Sequence, residues 1–480
     1  MMSSQTNITL VRGLGLIAAI SIVVGNVIGQ GVFLKTRVMT CNVGTPGMVI
    51  AVWVAAGLLS LAGALTYAEL AAMMPKAGGE YVFVREAYGA RMGFLYGWMQ
   101  FFISKTGSQA ALGIGFAIFL NILTGGALDT KYFTFHIADY AIPFGSLQLT
   151  ALLAIAVVTL INCAAVSVSG QVAALLTGVK IALVLAVGIG AFFFAQGDWT
   201  HFAQANVNGA CEGVSATARY GMAGFGAAML GALWGYDGWN NLTLVAGEVR
   251  NPQRNIPLAL IGGMITVAAL YIFVNLAYFY VLTPTEVANV PAASSVATEV
   301  GKRFLGPFAV SLIAVALLTS TFGTLHSSIL TGARVPYVMS RDRLFFQSLA
   351  RLSPRTRVPI GALVVQAAWA CVLALSGSYD ALTDYVIFAS WIFYGLVTAS
   401  VFIFRRRMPD AVRPYRTWGY PVVPALFLLV TAGLLITTIM ASPYQTLRGL
   451  GLIALGLPVY WYWSRHNRST DQAPLPAQDD

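Results

Sequence analysis

Charge is what this chain has least of. Asp, Glu, Lys and Arg make up 10% of its 480 residues, against roughly 25% in an ordinary soluble domain. With 58% of residues apolar, a soluble protein could not cover its surface with polar groups. The deficit excludes a soluble enzyme and points to a chain that crosses a membrane many times. Histidine and cysteine are also scarce, four of each. The sequence contains no C-x-x-C pair, H-E-x-x-H, Walker loop or G-x-S-x-G. The usual signatures of a metal centre, a metalloprotease, an NTPase and a serine hydrolase are therefore missing. The first apolar run follows neither a basic n-region nor a small-residue cleavage pattern, so it reads as a retained span.

What is present is a series of long apolar runs. They lie near 13–34, 47–73, 93–123, 147–165, 170–195, 222–247, 257–282, 308–338, 359–376, 382–404, 420–440 and 446–463. A helical span needs about 20 residues, and the strands of a membrane barrel alternate over about ten. The runs therefore predict twelve transmembrane helices and an all-α fold, with no loop long enough for a soluble domain. The last residues, 465–480, read as a disordered polar tail.

The net charge of +10 would suggest nucleic acid in a soluble protein. Here it sorts by membrane side. With the N-terminus inside, eighteen Lys and Arg fall in inner segments. Seven fall outside: Lys35, Arg37, Lys131, Arg219, Lys302, Arg303 and Arg448. The positive-inside rule then places both termini in the cytoplasm, and nucleic-acid binding loses its support. Cys41 and Cys211 fall in loops on the outer face, where they could pair; the reading favours two unrelated thiols. Short loops and termini suggest a bacterial inner membrane.

Two spans are interrupted. The first reads Gly25-Asn26-Val27-Ile28-Gly29-Gln30-Gly31-Val32-Phe33, and the sixth Gly231-Ala232-Leu233-Trp234-Gly235-Tyr236-Asp237-Gly238-Trp239-Asn240. They stand five spans apart, at matching positions if the chain is two five-helix repeats. Glycine-broken helices at such positions are the best sequence pointer to a transporter's binding site. An unwound stretch frees N–H groups that suit a carboxylate and carbonyls that suit an ammonium. Helix-packing glycines are the competing reading.

These breaks resemble those of the amino acid–polyamine–organocation superfamily, within it the L-amino-acid transporter branch. Ile28-Gly29-Gln30-Gly31-Val32-Phe33 resembles the family's G-S-G-[IV]-F break, with Gln30 where serine is usual. Pro75-Lys76-Ala77-Gly78-Gly79-Glu80-Tyr81 resembles its P-x-[AS]-G-G-x-Y loop, followed by an amphipathic cytoplasmic helix. The stretch from Gly235 through Glu248-Val249-Arg250-Asn251-Pro252 to Pro257 resembles its sixth-span break and E-x-x-N-P-x-R loop, and Asn275 to Phe279 fits the same branch.

The resemblance implies a 5+5 inverted-repeat core of the leucine-transporter type over residues 1–407, with two peripheral helices over 408–464. By position, the N–H groups of Gln30 and Gly31 would take a substrate carboxylate. The carbonyls of Val27, Gly231 and Trp234 would take its amino group. Ile28, Gly29, Gly235 and Tyr236 would line the break, with Trp234 as an aromatic gate. The side chain of Gln30, longer than serine, would narrow the site. In animal members of the branch a cysteine in the loop between the third and fourth spans often links a glycoprotein subunit. Residues 124–146 contain none, so no disulfide-linked partner is expected.

Lys180 falls about ten residues into the fifth span, too deep to snorkel easily. In sodium-independent relatives a lysine here stands in the place of sodium. By that resemblance Lys180 would contact carbonyls near Gly25 and Asn26 and the hydroxyl of Ser320 or Thr321. Asp237 reads equally as a gating or proton-linked group and as a helix cap. Lys105 and Ser108 lie in the third span, where Ser108 would face substrate or simply pack. His326 reads as a core histidine, and Glu69 and Arg334 as interfacial.

The expectation is a sodium-independent carrier of amino acids, neutral ones first and cationic ones or polyamines second, working by exchange or proton-coupled uptake. A membrane receptor or enzyme is the rival class. No cofactor or metal is implied.

Overall fold

The computed structural model describes residues 12–137, 140–164, 169–292, 294–376, 379–441 and 443–468. Most of the expected disordered tail, from 469 on, lies outside the described residues. The first span is two helices, α1 (Leu16–Val27) and α2 (Gly31–Val43). The second, α3 (Pro46–Met73), starts cleanly. Thr45 accepts the N–H of Met48, and Pro46 sits at the first helical position, where its missing N–H costs nothing. A short helix α4 (Glu80–Tyr88) precedes the third span, α5 (Ala90–Met99) and α6 (Lys105–Leu123). Between these two, Gln100–Ser104 is a π-helical stretch. An antiparallel hairpin follows, β1 (Lys131–Ile137) and β2 (Tyr140–Gly145). No strand was expected there; pairing satisfies the backbone of a connection rich in aromatic and β-branched residues.

The fourth and fifth spans are α7 (Ser146–Ala164) and α8 (Ser169–Phe194). The sixth is divided into α9 (Gly221–Tyr236) and the single turn α10 (Asn241–Leu244). The seventh is α11 (Pro252–Val281). Helices α12 (Pro284–Ala288) and α13 (Val296–Leu305) follow it, where an irregular loop was expected. The eighth is α14 (Phe308–Gly332), prolonged by α15 (Arg334–Arg341). Then come α16 (Ile360–Ser376), α17 (Tyr379–Arg407) and α18 (Val422–Ala441). The twelfth run is split into α19 (Pro443–Ala454) and α20 (Gly456–Arg468). Among the described residues, 9 helical stretches are long and apolar enough to cross a membrane.

The packing repeats after five spans. The first span packs on the fifth and seventh, and the sixth packs on the tenth and second. The fifth meets the seventh and eighth, and the tenth meets the second and third. The third meets the fourth and ninth, and the eighth meets the ninth and fourth. Even the accessory helices match: α4 lies on the tenth span and α13 on the fifth. Five is odd, so corresponding spans run in opposite directions, which makes the repeat inverted. The chain is an all-α polytopic membrane protein with α18, α19 and α20 packed outside this core.

Two sequence expectations are corrected here. Cys41 and Cys211 are not unrelated thiols; they form a disulfide across 170 residues. Helix α2 extends to Val43, beyond the apolar run, and carries Cys41 into a buried cluster with Cys211 and Ala288. Lys35 and Arg37 are not loop residues: both are buried on α2. Lys35 Nζ donates to Thr383 Oγ1 at 2.9 Å, and Arg37 donates to the Glu212 carbonyl at 2.7 Å. Glu69 and Arg334, near their span ends, are held inside the protein. Glu69 is 1% exposed and accepts from Arg405 at 2.7 Å, and buried Arg334 lies 3.3 Å from Glu248. Tertiary neighbours bury these ends, which hydropathy along the chain does not register.

Candidate functional site

The two broken spans meet at glycines. A Cβ on Gly31 would lie 2.7 Å from the Gly235 Cα, so the approach of α2 to α9 requires glycine there. The break in the first span then leaves two frayed helix ends facing one another.

At the start of α2, the N–H groups of Gln30, Gly31 and Val32 have no backbone acceptor among the described residues, while Phe33 and Leu34 both bond to the Gln30 carbonyl. At the end of α1, side chains take the freed carbonyls. Lys180 donates to Gly25 at 2.6 Å, Tyr271 to Val27 at 2.8 Å and Ser320 to Ile28 at 3.4 Å. A cation at a helix C-terminus is electrostatically favoured.

Lys180 is 2% exposed, and its second partner is the hydroxyl of Thr324 at 2.6 Å, not Ser320 or Thr321. Thr324 is one turn beyond Ser320 on the same face of α14, so the helix was right and the turn wrong. The Thr321 hydroxyl is buried without a partner among the described residues.

Beside this gap lies a cavity of about 40 Å³, room for roughly three water molecules at 10–15 Å³ each on this measure. Of the residues singled out in the sequence, Asn26, Val27, Gly29, Gln30, Gly31, Ser108, Trp234 and Asp237 line it. Ile28, Gly231, Gly235, Tyr236, Lys180, Ser320 and Thr321 do not. A Cβ on Gly231 would meet Met39 and Lys35, and Tyr236 is buried against Trp53 and Tyr271. Lys180 instead lines a separate chamber of about 10 Å³ together with His326.

Sequence reasoning missed Leu112, Gly238, Asn241, Thr324 and Ser328 in the lining. It also missed Tyr271, whose hydroxyl reaches both Val27 and Gly235 carbonyls at 2.8 and 2.9 Å. Gly238 and Asn241 lie in the sixth-span stretch already singled out, whereas Leu112, Tyr271, Thr324 and Ser328 sit in no motif; only i+4 spacing from Ser320 pointed toward Thr324.

Gln30 does not fill the cavity. Its amide turns toward the third span, donates to the Ala111 carbonyl at 3.2 Å and lies over Gly115. A Cβ there would fall 1.6 Å from Gln30 Oε1, so the missing side chain at 115 is what accommodates the long one at 30. Asn26 donates to the Ile22 carbonyl at 2.7 Å, leaving its Oδ1 buried with no donor among the described residues.

Polar groups continue from the cavity toward α4. Lys105 Nζ donates to Asn241 Oδ1. Asp237 accepts from the Tyr394 hydroxyl at 2.8 Å and keeps partial exposure. It follows the last residue of α9, and α10 begins after Asn240 with no side-chain cap, so Asp237 does not cap the second half-helix. Among the described residues no group of three His, Cys, Asp or Glu side chains is placed to hold a metal ion.

The comparisons with known proteins agree with this geometry. A family model described as amino acid permease matches residues 14–455. The serine/threonine exchanger SteT of Bacillus subtilis (strain 168) is 32% identical over 467 residues, which is 95% of this chain and 98% of that one. The b(0,+)-type amino acid transporter 1 of Mus musculus is 30% identical over 455 residues, 94% of this chain and 88% of that one. The cystine/glutamate transporter of Homo sapiens is 28% identical over 461 residues, 95% and 86%. With a match over nearly its whole length and glycine-broken spans enclosing a buried polar cavity, the chain belongs to the amino acid permease family of membrane transporters.

Proposed function

We propose that the chain exchanges small neutral L-amino acids across a bacterial inner membrane without sodium. The carrying observation is the pairing, within one buried cavity, of unbonded N–H groups at the start of α2 with the orphan acceptor Asn26 Oδ1. The first would take the substrate carboxylate and the second its ammonium. The Val27 carbonyl already accepts from Tyr271 and from the Gly29 N–H, so Asn26 is the better acceptor in this conformation. Lys180 would act as a fixed cation where other carriers hold sodium, joining α1, α8 and α14.

Size and charge favour a small, uncharged side chain. The cavity is small, and Lys105 and Asp237 line it together with Ser108, Asn241 and Ser328. Their opposite charges leave no net charge for a charged substrate to match. A cationic amino acid is the second reading, favoured by the partial exposure of Asp237. In this proposal α4 and the chain termini face the cytoplasm, the hairpin faces outward, and the protein works without a disulfide-linked subunit.

The test is exchange in proteoliposomes preloaded with labelled L-serine, against the twenty amino acids outside, in sodium and in choline. Release driven equally in both salts by serine, threonine and alanine is expected. Release driven mainly by arginine and lysine establishes the second reading, and sodium dependence overturns the fixed-cation role.

A further inference from the structure

A chain of hydrogen bonds leaves the cavity at Asp237 and ends on α4, a helix that is not itself a span. Tyr394, on α17, has one hydroxyl proton and two acceptors, Asp237 Oδ1 at 2.8 Å and Asn240 Oδ1 at 3.4 Å. Asn240 Nδ2 donates to Glu80 Oε2 at 2.8 Å. The same oxygen accepts from the Tyr96 hydroxyl at 2.6 Å, which in turn accepts from Gln100 at 2.8 Å. Lys105 faces the cluster from α6, within electrostatic reach of both acids.

Glu80 is out of place for an ordinary helix start. A carboxylate in the first turn of a helix is usually solvated and needs only the helix dipole. Glu80 instead is 0% exposed and spends its hydrogen bonds on the third and sixth spans. The loop ahead of it is clamped to the same place. Gly78 N–H donates to the Leu244 carbonyl at 3.0 Å. Gly79 has φ +42°, and a Cβ there would lie 2.5 Å from the Thr243 carbonyl. The loop leading into α4 is therefore seated on the short half of the sixth span, and the start of α4 cannot lift without breaking the Glu80 contacts.

We propose that Glu80 is the latch that holds α4 on the sixth-span break, and that Tyr394 and Asn240 carry the occupancy of the cavity to it. This rests on the transport reading above. A bound ammonium that draws Asp237 toward the cavity frees the Tyr394 proton to turn to Asn240 Oδ1. The Asn240 amide then loses its alignment with Glu80, and α4 is released toward the cytoplasm. An empty cavity keeps the latch shut, which favours exchange over leak. Glu80 touches no substrate in this scheme; it is a positioning residue.

The test compares two fluxes in proteoliposomes loaded with labelled L-serine: exchange against external serine, and efflux into serine-free medium. Glu80→Gln and Tyr394→Phe should each raise efflux relative to exchange by about fivefold or more, the lower end of ordinary site coupling. The double variant should match the stronger single variant, because both cut one line. Unchanged flux ratios in the single variants, or effects that multiply in the double, overturn the proposal.

A second measurement covers a variant that fails to fold. Lys76→Cys places an exposed thiol beside the clamped loop, open to a maleimide in inside-out vesicles. Serine should change its alkylation rate, and Tyr394→Phe should abolish that change; an equal response in both overturns the latch. Wild-type vesicles that neither exchange nor release serine overturn the transport reading, and the latch with it.

Discussion

Lys180 places an ammonium in a buried position where two neutral oxygens, the Gly25 carbonyl and the Thr324 hydroxyl, each stand 2.6 Å away. A hydrogen bond to a charged group contributes about 1.5–3 kcal/mol. Lys180→Ala should therefore cut exchange by at least about tenfold while the protein still inserts. Thr324→Val should follow it in direction, and Thr321→Val should change little; equal effects at 321 and 324 would contradict the observed pairing. Gln30 offers a sharper test because its partner is an absence. Gly115→Ala would drive the Gln30 amide out of its recess toward the cavity, raising KM for serine. Adding Gln30→Ser should restore it, since the shorter side chain no longer needs the recess. A double variant as impaired as Gly115→Ala alone would show that residue 115 acts through helix packing instead.

Among the elements, the broken spans divide the work. Helix α1 ends on Lys180 and Thr324, whereas α2 is fastened at its far end by the Cys41–Cys211 disulfide, by Arg37 on the Glu212 carbonyl and by Asn42 on the Ala218 carbonyl. The half-helix on the disulfide face is thus tied to its loop. A crosslink closing so long a loop stabilises by about 2–4 kcal/mol. Cys41→Ser, or dithiothreitol on the wild type, should lower the melting temperature of the purified protein, and dithiothreitol should add nothing to the variant. An unchanged melting curve would mean the loop is held by its other contacts alone. The π-helical stretch Gln100–Ser104 is a second device of this kind. It inserts a register shift just before Lys105, with Thr106 Oγ1 bonded to the Phe101 carbonyl five residues back. Such bulges concentrate at functional sites.

For the molecule as a whole, the packing repeats after five spans and inverts because five is odd. That relation explains why the two glycine breaks face each other: equivalent positions of the repeats meet at the pseudo-two-fold axis. It also sets the sidedness test. Thr134→Cys on the hairpin should be alkylated by an impermeant maleimide added to whole cells, and Ser353→Cys only after permeabilisation. The reverse pattern would invert the proposed orientation and move the latch to the outer face. A disulfide on the proposed outer face fits this orientation, since bonded cysteines persist where the environment is oxidising.

By itself, the sequence determined the membrane fold, the two breaks and the family resemblance. Hydropathy and glycine punctuation are properties of contiguous residues, so they can be read along the chain. Of the cavity lining, Asn26, Val27, Gly29, Gln30, Gly31, Trp234, Asp237 and Gly238 lie in the breaks themselves, where glycine punctuation can be read. Only the tertiary structure decided which hydroxyl meets Lys180, where Gln30 turns, that Cys41 finds Cys211, and that Glu80 points inward to Asn240. Each of these is a contact between residues far apart in sequence. Their partners are chosen by helix rotation and register, which the order of apolar residues leaves open.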